Sequence, residues 1–231
     1  MKKITIAHLY PKELNLYGDI GNIICLQYRL AKRGISSEVI GIEAGDRLCD
    51  FDILVIGGGQ DKEMEIIAPD IRKKGEMLSY CIESGKTVFA VCAGFQLLGK
   101  NYIISGKKEP RLSGALDFST VAGDERKIGN IVFESPFGLI AGFENHSGKT
   151  YLPNKFSPLG KVIRGFGNNG EDGGEGLLYK NTFATYAHGT VLPKNPALAD
   201  EIIKRALKCE TLLPLDDEVE NKCHNQLIHI S

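Results

Sequence analysis

A chain of 231 residues with 28 Lys and Arg against 29 Asp and Glu carries a formal charge of −1, which argues against a function built on attraction to nucleic acid or an anionic membrane. With 42% hydrophobic and 25% charged residues it has the composition of a globular protein long enough to bury its own core. Its six cysteines, Cys25, Cys49, Cys81, Cys92, Cys209 and Cys223, show no C-x-x-C spacing, so neither a metal site nor a disulfide framework is expected, and the thiols read as those of a reducing, cytoplasmic compartment.

The N-terminal run is interrupted by His8, Pro11 and Lys12 and does not read as a signal peptide, and no stretch approaches the roughly 18 apolar residues of a membrane span, so no membrane insertion is expected. A strand is predicted over residues 4–9, followed by a helix from Ile20 that Gly34 stops. A second strand covers 37–42, and a continuous apolar run over 52–56 ends in Gly57, Gly58 and Gly59, as a buried parallel strand would. A long helix from Lys62 to Glu83 stops at Gly85, and a buried strand over 87–91 leads through Cys92 into a short helix over 93–98. This alternation predicts a mainly parallel central sheet flanked by helices. From Leu112 the pattern turns to short β-prone runs at 116–121, 129–134, 138–143, 160–166, 176–179 and 182–186, expected to be mixed or antiparallel. A last helix over 195–208 closes a domain spanning 1–208, and the tail 209–231 shows neither helical nor strand periodicity and is expected to be mobile. The glycines and acids of 165–176 do not follow calcium-loop spacing and suit a mobile hairpin connection.

The sequence TVFAVCAGFQLLG at 87–99 places Cys92 at the junction of a buried strand and a helix, the geometry of a nucleophile elbow. The small residues Ala93 and Gly94 permit close backbone approach, and the N–H groups of the helix start are expected to favour a thiolate and an oxyanion. A thiol nucleophile needs a base. His188, which ends a β-prone run and precedes Gly189, is the leading candidate; His146 is the runner-up, and His8, His224 and His229 compete less well.

The glycine triplet, the Cys92 elbow and the late His188 stand in an order that resembles a class I glutamine amidotransferase. Residues 14–22, 56–61, 126–135, 142–146, 165–169 and 186–189 narrow the resemblance to the cobyric-acid-synthase-like branch, and within it to glutaminase subunits of lipid II isoglutaminyl synthases. The resemblance implies a flavodoxin-like class I amidotransferase fold, with Cys92 as nucleophile, His188 as general acid/base and Arg126 holding the glutamine α-carboxylate. Backbone N–H groups at Gly58 and Ala93 would form the oxyanion hole. It also implies a heterodimer with a Mur-ligase-like (MurT-like) synthetase subunit that amidates lipid II at the inner face of a bacterial membrane. This chain has no Gly-x-x-x-x-Gly-Lys-[Ser/Thr] phosphate loop, so it is expected to hold no cofactor itself, with ATP and Mg on the partner.

Two positions depart from the wider superfamily. Ala90 stands where a glycine is usual, and Thr190 where an acid is usual, so the third catalytic group is Asp19, a partner carboxylate or none. An acceptor such as a cobyrinate-type corrinoid, a cysteine peptidase, and a non-catalytic amidotransferase-like scaffold are the competing readings.

Overall fold

Residues 53–56 and 87–91 are aliphatic or aromatic save for Thr87, and a strand of that kind is stable only when covered on both faces. In the computed structural model, which describes residues 3–104 and 111–229, both runs are central strands of one sheet. In chain order the strands are β1 (Ile4–Leu9), β2 (Ser37–Ile42), β3 (Ile53–Ile56), β4 (Thr87–Val91), β5 (Asn101–Ile103), β6 (Ser119–Ser135), β7 (Gly138–Tyr151), β8 (Gly160–Arg164), β9 (Gly174–Glu175), β10 (Leu177–Tyr179), β11 (Thr182–Thr185) and β12 (Ala187–His188). The helices are α1 (Ile20–Lys32), α2 (Asp61–Glu83), α3 (Ala93–Leu98), α4 (Val191–Lys194), α5 (Pro196–Leu207) and α6 (Glu218–His229), and a 3-10 turn at Leu16–Gly18 precedes α1.

The first sheet has the order β10-β11-β4-β3-β1-β2 and is parallel except for the edge strand β10. Helix α1 packs with α4 and α5, and α2 packs with α3. The second sheet, β12-β7-β6-β8-β9, is antiparallel, with β5 joining β6 in parallel. Only Tyr186 separates β11 in the first sheet from β12 in the second, so His188 lies at the seam between them.

Three local expectations are corrected. The runs at 116–121 and 129–134 belong largely to one strand, β6, whose polar middle breaks the apolar alternation and carries a register shift between Ala122 and Lys127. The run at 182–186, grouped by position with the antiparallel half, pairs in parallel with β4 and extends the main sheet. The tail is not without regular structure: α6 begins just after Asp216 and Asp217, which place negative charge at a helix N-terminus. Arg29 on α1 grips Asp217 through two hydrogen bonds of 2.7 and 2.8 Å and Asp200 on α5 through a third of 2.7 Å, tying the tail to the core. The connection from β8 to β9 is the expected hairpin. It is braced by the buried Glu144, whose carboxylate accepts the N–H groups of Phe166 (2.7 Å) and Gly167 (3.0 Å).

Behind the seam, the Glu175 carboxylate is fully buried; Oε1 accepts the Thr185 hydroxyl and the Tyr186 N–H, whereas Oε2 has no hydrogen-bond partner. Burial pushes its pKa from 4.5 up to about 7. A carboxyl raised in the folded state contributes stability that is complete below pH 4.5 and is lost as the pH rises through 7. Glu175→Gln keeps the Oε1 acceptor and removes the ionisation. The variant should therefore gain stability over the parent between pH 4.5 and 8, by on the order of a few kcal/mol, in denaturant unfolding at several pH values. A pH-independent difference would show that Glu175 is not buried as described.

Candidate active site

Cys92 links β4 to α3 with φ +50° and ψ −104°, a conformation an L residue adopts only under strain. Its N–H donates to the Thr185 carbonyl at 2.8 Å and its carbonyl accepts from the Gln96 N–H at 3.0 Å, so both sides of the residue are pinned. Gly94 must be small, because a Cβ there would lie 2.5 Å from the Ile56 carbonyl oxygen.

The glycine triplet follows from crowding by the loop before α1. A Cβ on Gly57 would meet the Leu14 carbonyl oxygen at 2.1 Å, and one on Gly58 would meet His188 Cε1 at 2.8 Å and Asp19 Oδ2 at 3.2 Å. The backbone thus passes directly between this loop and the imidazole.

His188 is fully buried, and neither ring nitrogen has a hydrogen-bond partner among the described residues. The Tyr17 ring meets it T-shaped, with centroids 5.1 Å apart and planes at 71°. The runner-up, His146, is held: Nδ1 bonds the Gly148 carbonyl at 2.9 Å, the ring stacks on Tyr186 with centroids 3.8 Å apart, and Nε2 faces Glu144 at 3.6 Å. His8 is buried in β1, and His224 and His229 belong to α6. His188 follows β11, the strand paired with β4, whose end carries Cys92, and unlike His146 it has both ring nitrogens unbonded among the described residues.

The resting electrostatics overturn one expectation. The start of α3 was expected to favour a thiolate, and the Ala93 N–H does lower the Cys92 pKa, yet burial and the nearby Asp19 outweigh it and push the thiol up to about 12. Burial, with His146 and Arg126 adding repulsion, lowers His188 to about 4. The pair therefore rests as neutral thiol and neutral imidazole.

The oxyanion arrangement is also corrected in part. The Gly58 N–H donates to Asp19 Oδ2 at 2.7 Å and is occupied, leaving the Ala93 N–H, which bonds the Cys92 sulfur, as the one of the two expected groups that faces the thiol. Asp19 is buried with Oδ1 unpartnered, and burial raises its pKa to about 7 against the opposing Gly58 bond. Thr190, at the usual place of the triad acid, bonds the neighbouring Gly189 carbonyl.

A cavity of about 390 Å³ opens beside the thiol, lined among others by Cys92, Arg126, Asn145, Tyr17, Gln60 and Tyr102, within the size range of small-molecule sites. Arg126 donates through Nε to Asn145 Oδ1 at 2.6 Å, and its terminal nitrogens carry no hydrogen bond to a described residue. That edge of the guanidinium can take a carboxylate bidentately. No group of three His, Cys, Asp or Glu among the described residues could hold a metal ion. Motif reasoning passed over Tyr17 and Asn145, although both lie in stretches that carried the family resemblance.

The chain matches the family model for the CobB/CobQ-like glutamine amidotransferase domain over residues 5–196. It is 41% identical to the lipid II isoglutaminyl synthase (glutamine-hydrolyzing) subunit GatD of Staphylococcus aureus (strain N315), over 98% of this chain and 93% of the relative. It is 40% identical to the subunit of the same name from Streptococcus pneumoniae (strain ATCC BAA-255 / R6), over 89% of this chain and 81% of the relative. Among solved structures, PurLQS from Thermotoga maritima superposes with a TM-score of 0.59 at 17% identity, covering 90% of this chain and 99% of that one, a likeness of fold.

Proposed function

The chain belongs to the CobB/CobQ-like glutamine amidotransferase family, and on that premise we propose that it is the glutaminase subunit of a lipid II isoglutaminyl synthase, using Cys92 and His188. The observation that carries the acceptor is the identity to two GatD subunits over most of both chains. The chemistry draws support from the strained elbow at Cys92 and the free guanidinium edge of Arg126, which line one cavity, and from the unpartnered His188 imidazole packed against Tyr17 of the same cavity.

Arg126 binds the α-carboxylate of L-glutamine and so selects the free amino acid. Cys92 Sγ attacks the side-chain amide carbon as its proton passes to His188, and the Ala93 N–H faces the oxyanion. His188 returns the proton to the amide nitrogen, and ammonia departs, leaving a glutamyl thioester. His188 then removes a proton from water, which releases glutamate and the thiol. Because both groups rest neutral, acylation needs proton transfer in step with attack, and the thiol is not a pre-formed thiolate. Asp19, beside the imidazole, is the carboxylate of this chain placed to stabilise His188 once protonated; the partner subunit is the other source.

Ammonia passes to a Mur-ligase-like synthetase subunit, which uses ATP and Mg to activate the α-carboxylate of the D-glutamate in lipid II and forms D-isoglutamine. This occurs at the cytoplasmic face of the membrane. No helix among the described residues is long and apolar enough to cross a membrane. The test supplies the two-subunit complex with L-glutamine labelled with ¹⁵N in the side-chain amide, together with lipid II and ATP. Label should enter the stem-peptide amide in step with glutamate release; label in free ammonia alone would reject the lipid II acceptor.

A further inference from the structure

The cavity holds a chain of contacts that the reaction above does not use. Asn145 on β7 accepts the Arg126 Nε–H through Oδ1 and donates through Nδ2 to the Tyr17 hydroxyl. Tyr17 lies in the turn Leu16–Gly18 with φ +58°, is about half exposed, and lays its ring against His188. Arginine can only donate, so its Nε–H fixes which end of the Asn145 amide faces it, and the NH2 end is thereby aimed at Tyr17. Tyr17 is thus partly open to solvent and partly packed on the base, the two rings meeting T-shaped.

We infer that Tyr17 is the cover over the general base and that Asn145 ties this cover to Arg126, so that capture of the substrate carboxylate and closure over His188 are one event. Both are positioning residues, and their role rests on the glutaminase reading above. The imidazole must pass protons to and from substrate, ammonia and water, and Tyr17 both lines the cavity with Cys92 and packs on the fully buried His188, so its ring stands between that cavity and the base. When the free edge of Arg126 takes a carboxylate, the guanidinium is fixed from both sides, its Nε–H holds Asn145, and Asn145 holds Tyr17 shut. With Arg126 unoccupied, the tie is one neutral hydrogen bond to an exposed tyrosine, weak enough for the ring to swing out and admit glutamine.

The groups facing His188 are Tyr17 from the turn, Asp19 at the head of α1, His146 from β7 and Arg126 from β6. Burial is the largest cause of the lowered His188 pKa, and Tyr17 packs directly on the ring, so removing it admits water and should let the pKa rise from about 4. The base must be neutral to act, so the acid limb of kcat/KM moves to higher pH in Tyr17→Ala. Tyr17→Phe keeps the ring, leaves the limb in place, and raises KM for glutamine by about two- to tenfold through the lost hydrogen bond. Asn145→Ala also raises KM, and because the tie runs through Asn145, adding Tyr17→Phe to it costs nothing more.

These variants are measured in the complex with its synthetase partner, with a second readout that does not need turnover: the rate at which iodoacetamide modifies the Cys92 peptide, followed by mass spectrometry. Tyr17→Ala should speed that modification by about tenfold, and glutamine should protect Cys92 less well in Tyr17→Phe and Asn145→Ala than in the parent. Additive KM effects of Tyr17→Phe and Asn145→Ala, or an unmoved acid limb with unchanged alkylation in Tyr17→Ala, would overturn the inference. If the parent complex does not hydrolyse glutamine, yet alkylation responds as stated, the glutaminase reading fails while the cover over His188 stands.

Discussion

Replacing Cys92 with Ala is expected to lower the kcat for ammonia release from glutamine by at least about 10³-fold, because in the proposed mechanism every later step proceeds through the thioester on its sulfur. The same position separates chemistry from stability. Its φ of +50° is imposed by hydrogen bonds to Thr185 and Gln96, and a Cβ of any kind keeps the strain. Cys92→Ala removes the nucleophile and keeps the strained backbone, whereas Cys92→Gly removes both. The glycine variant should thus be as inactive as the alanine variant and more stable by about 1 kcal/mol, after the added flexibility of the unfolded chain is subtracted from the strain relieved. Ammonia release and denaturant unfolding check the two halves. Substantial turnover in either variant removes Cys92 from the mechanism, and a glycine variant less stable than the alanine variant removes the strain.

Arg126→Met is expected to raise KM for glutamine by about 100-fold with a smaller change in kcat, since two charge-assisted hydrogen bonds to a carboxylate are lost. The register shift in β6 frees this residue from the regular ladder, and Asn145 fixes its Nε, so only the terminal nitrogens remain for a ligand. Arg126→Lys should restore little, because an ammonium cannot bond Asn145 and a carboxylate in the same fork. Arg126 also holds the His188 pKa down, so its removal should move the acid limb of kcat/KM slightly to higher pH. Glutamine titrations of initial rate decide the point. An unchanged KM would mean that the carboxylate binds elsewhere.

The parallel core was legible because strands buried on both faces read as unbroken apolar runs, as at 53–56 and 87–91, and because Gly34 and Gly85 stop their helices at positive φ. The positions of Cys92 and His188 were legible for a related reason: an elbow and a strand-ending histidine are local patterns, and the parallel pairing of β4 with β11 carries both to the same end of the sheet. What escaped depends on contacts distant in sequence. Nothing local to Asp19 says that it will take the Gly58 N–H, and nothing in residues 122–127 says that a polar stretch continues a strand. The tail helix was hidden because residues 218–229 show no clear apolar period and bury no residue, and the acids before and at its start were not weighed as a helix start. The raised thiol pKa of Cys92 is not legible in the sequence, because the helix start that lowers it is a local pattern whereas the larger desolvation exists only once the chain is packed. Tyr17 and Asn145 have no motif of their own, since one is a loop tyrosine and the other a strand asparagine until Arg126 joins them.

The most direct measurement is to treat the complex with a diazoketone analogue of glutamine and map the adduct by mass spectrometry. The account predicts one adduct per chain, on the peptide containing Cys92, lost in Cys92→Ala and prevented by excess L-glutamine. Modification spread over the exposed Cys209 and Cys223, or an adduct that glutamine does not prevent, would contradict it.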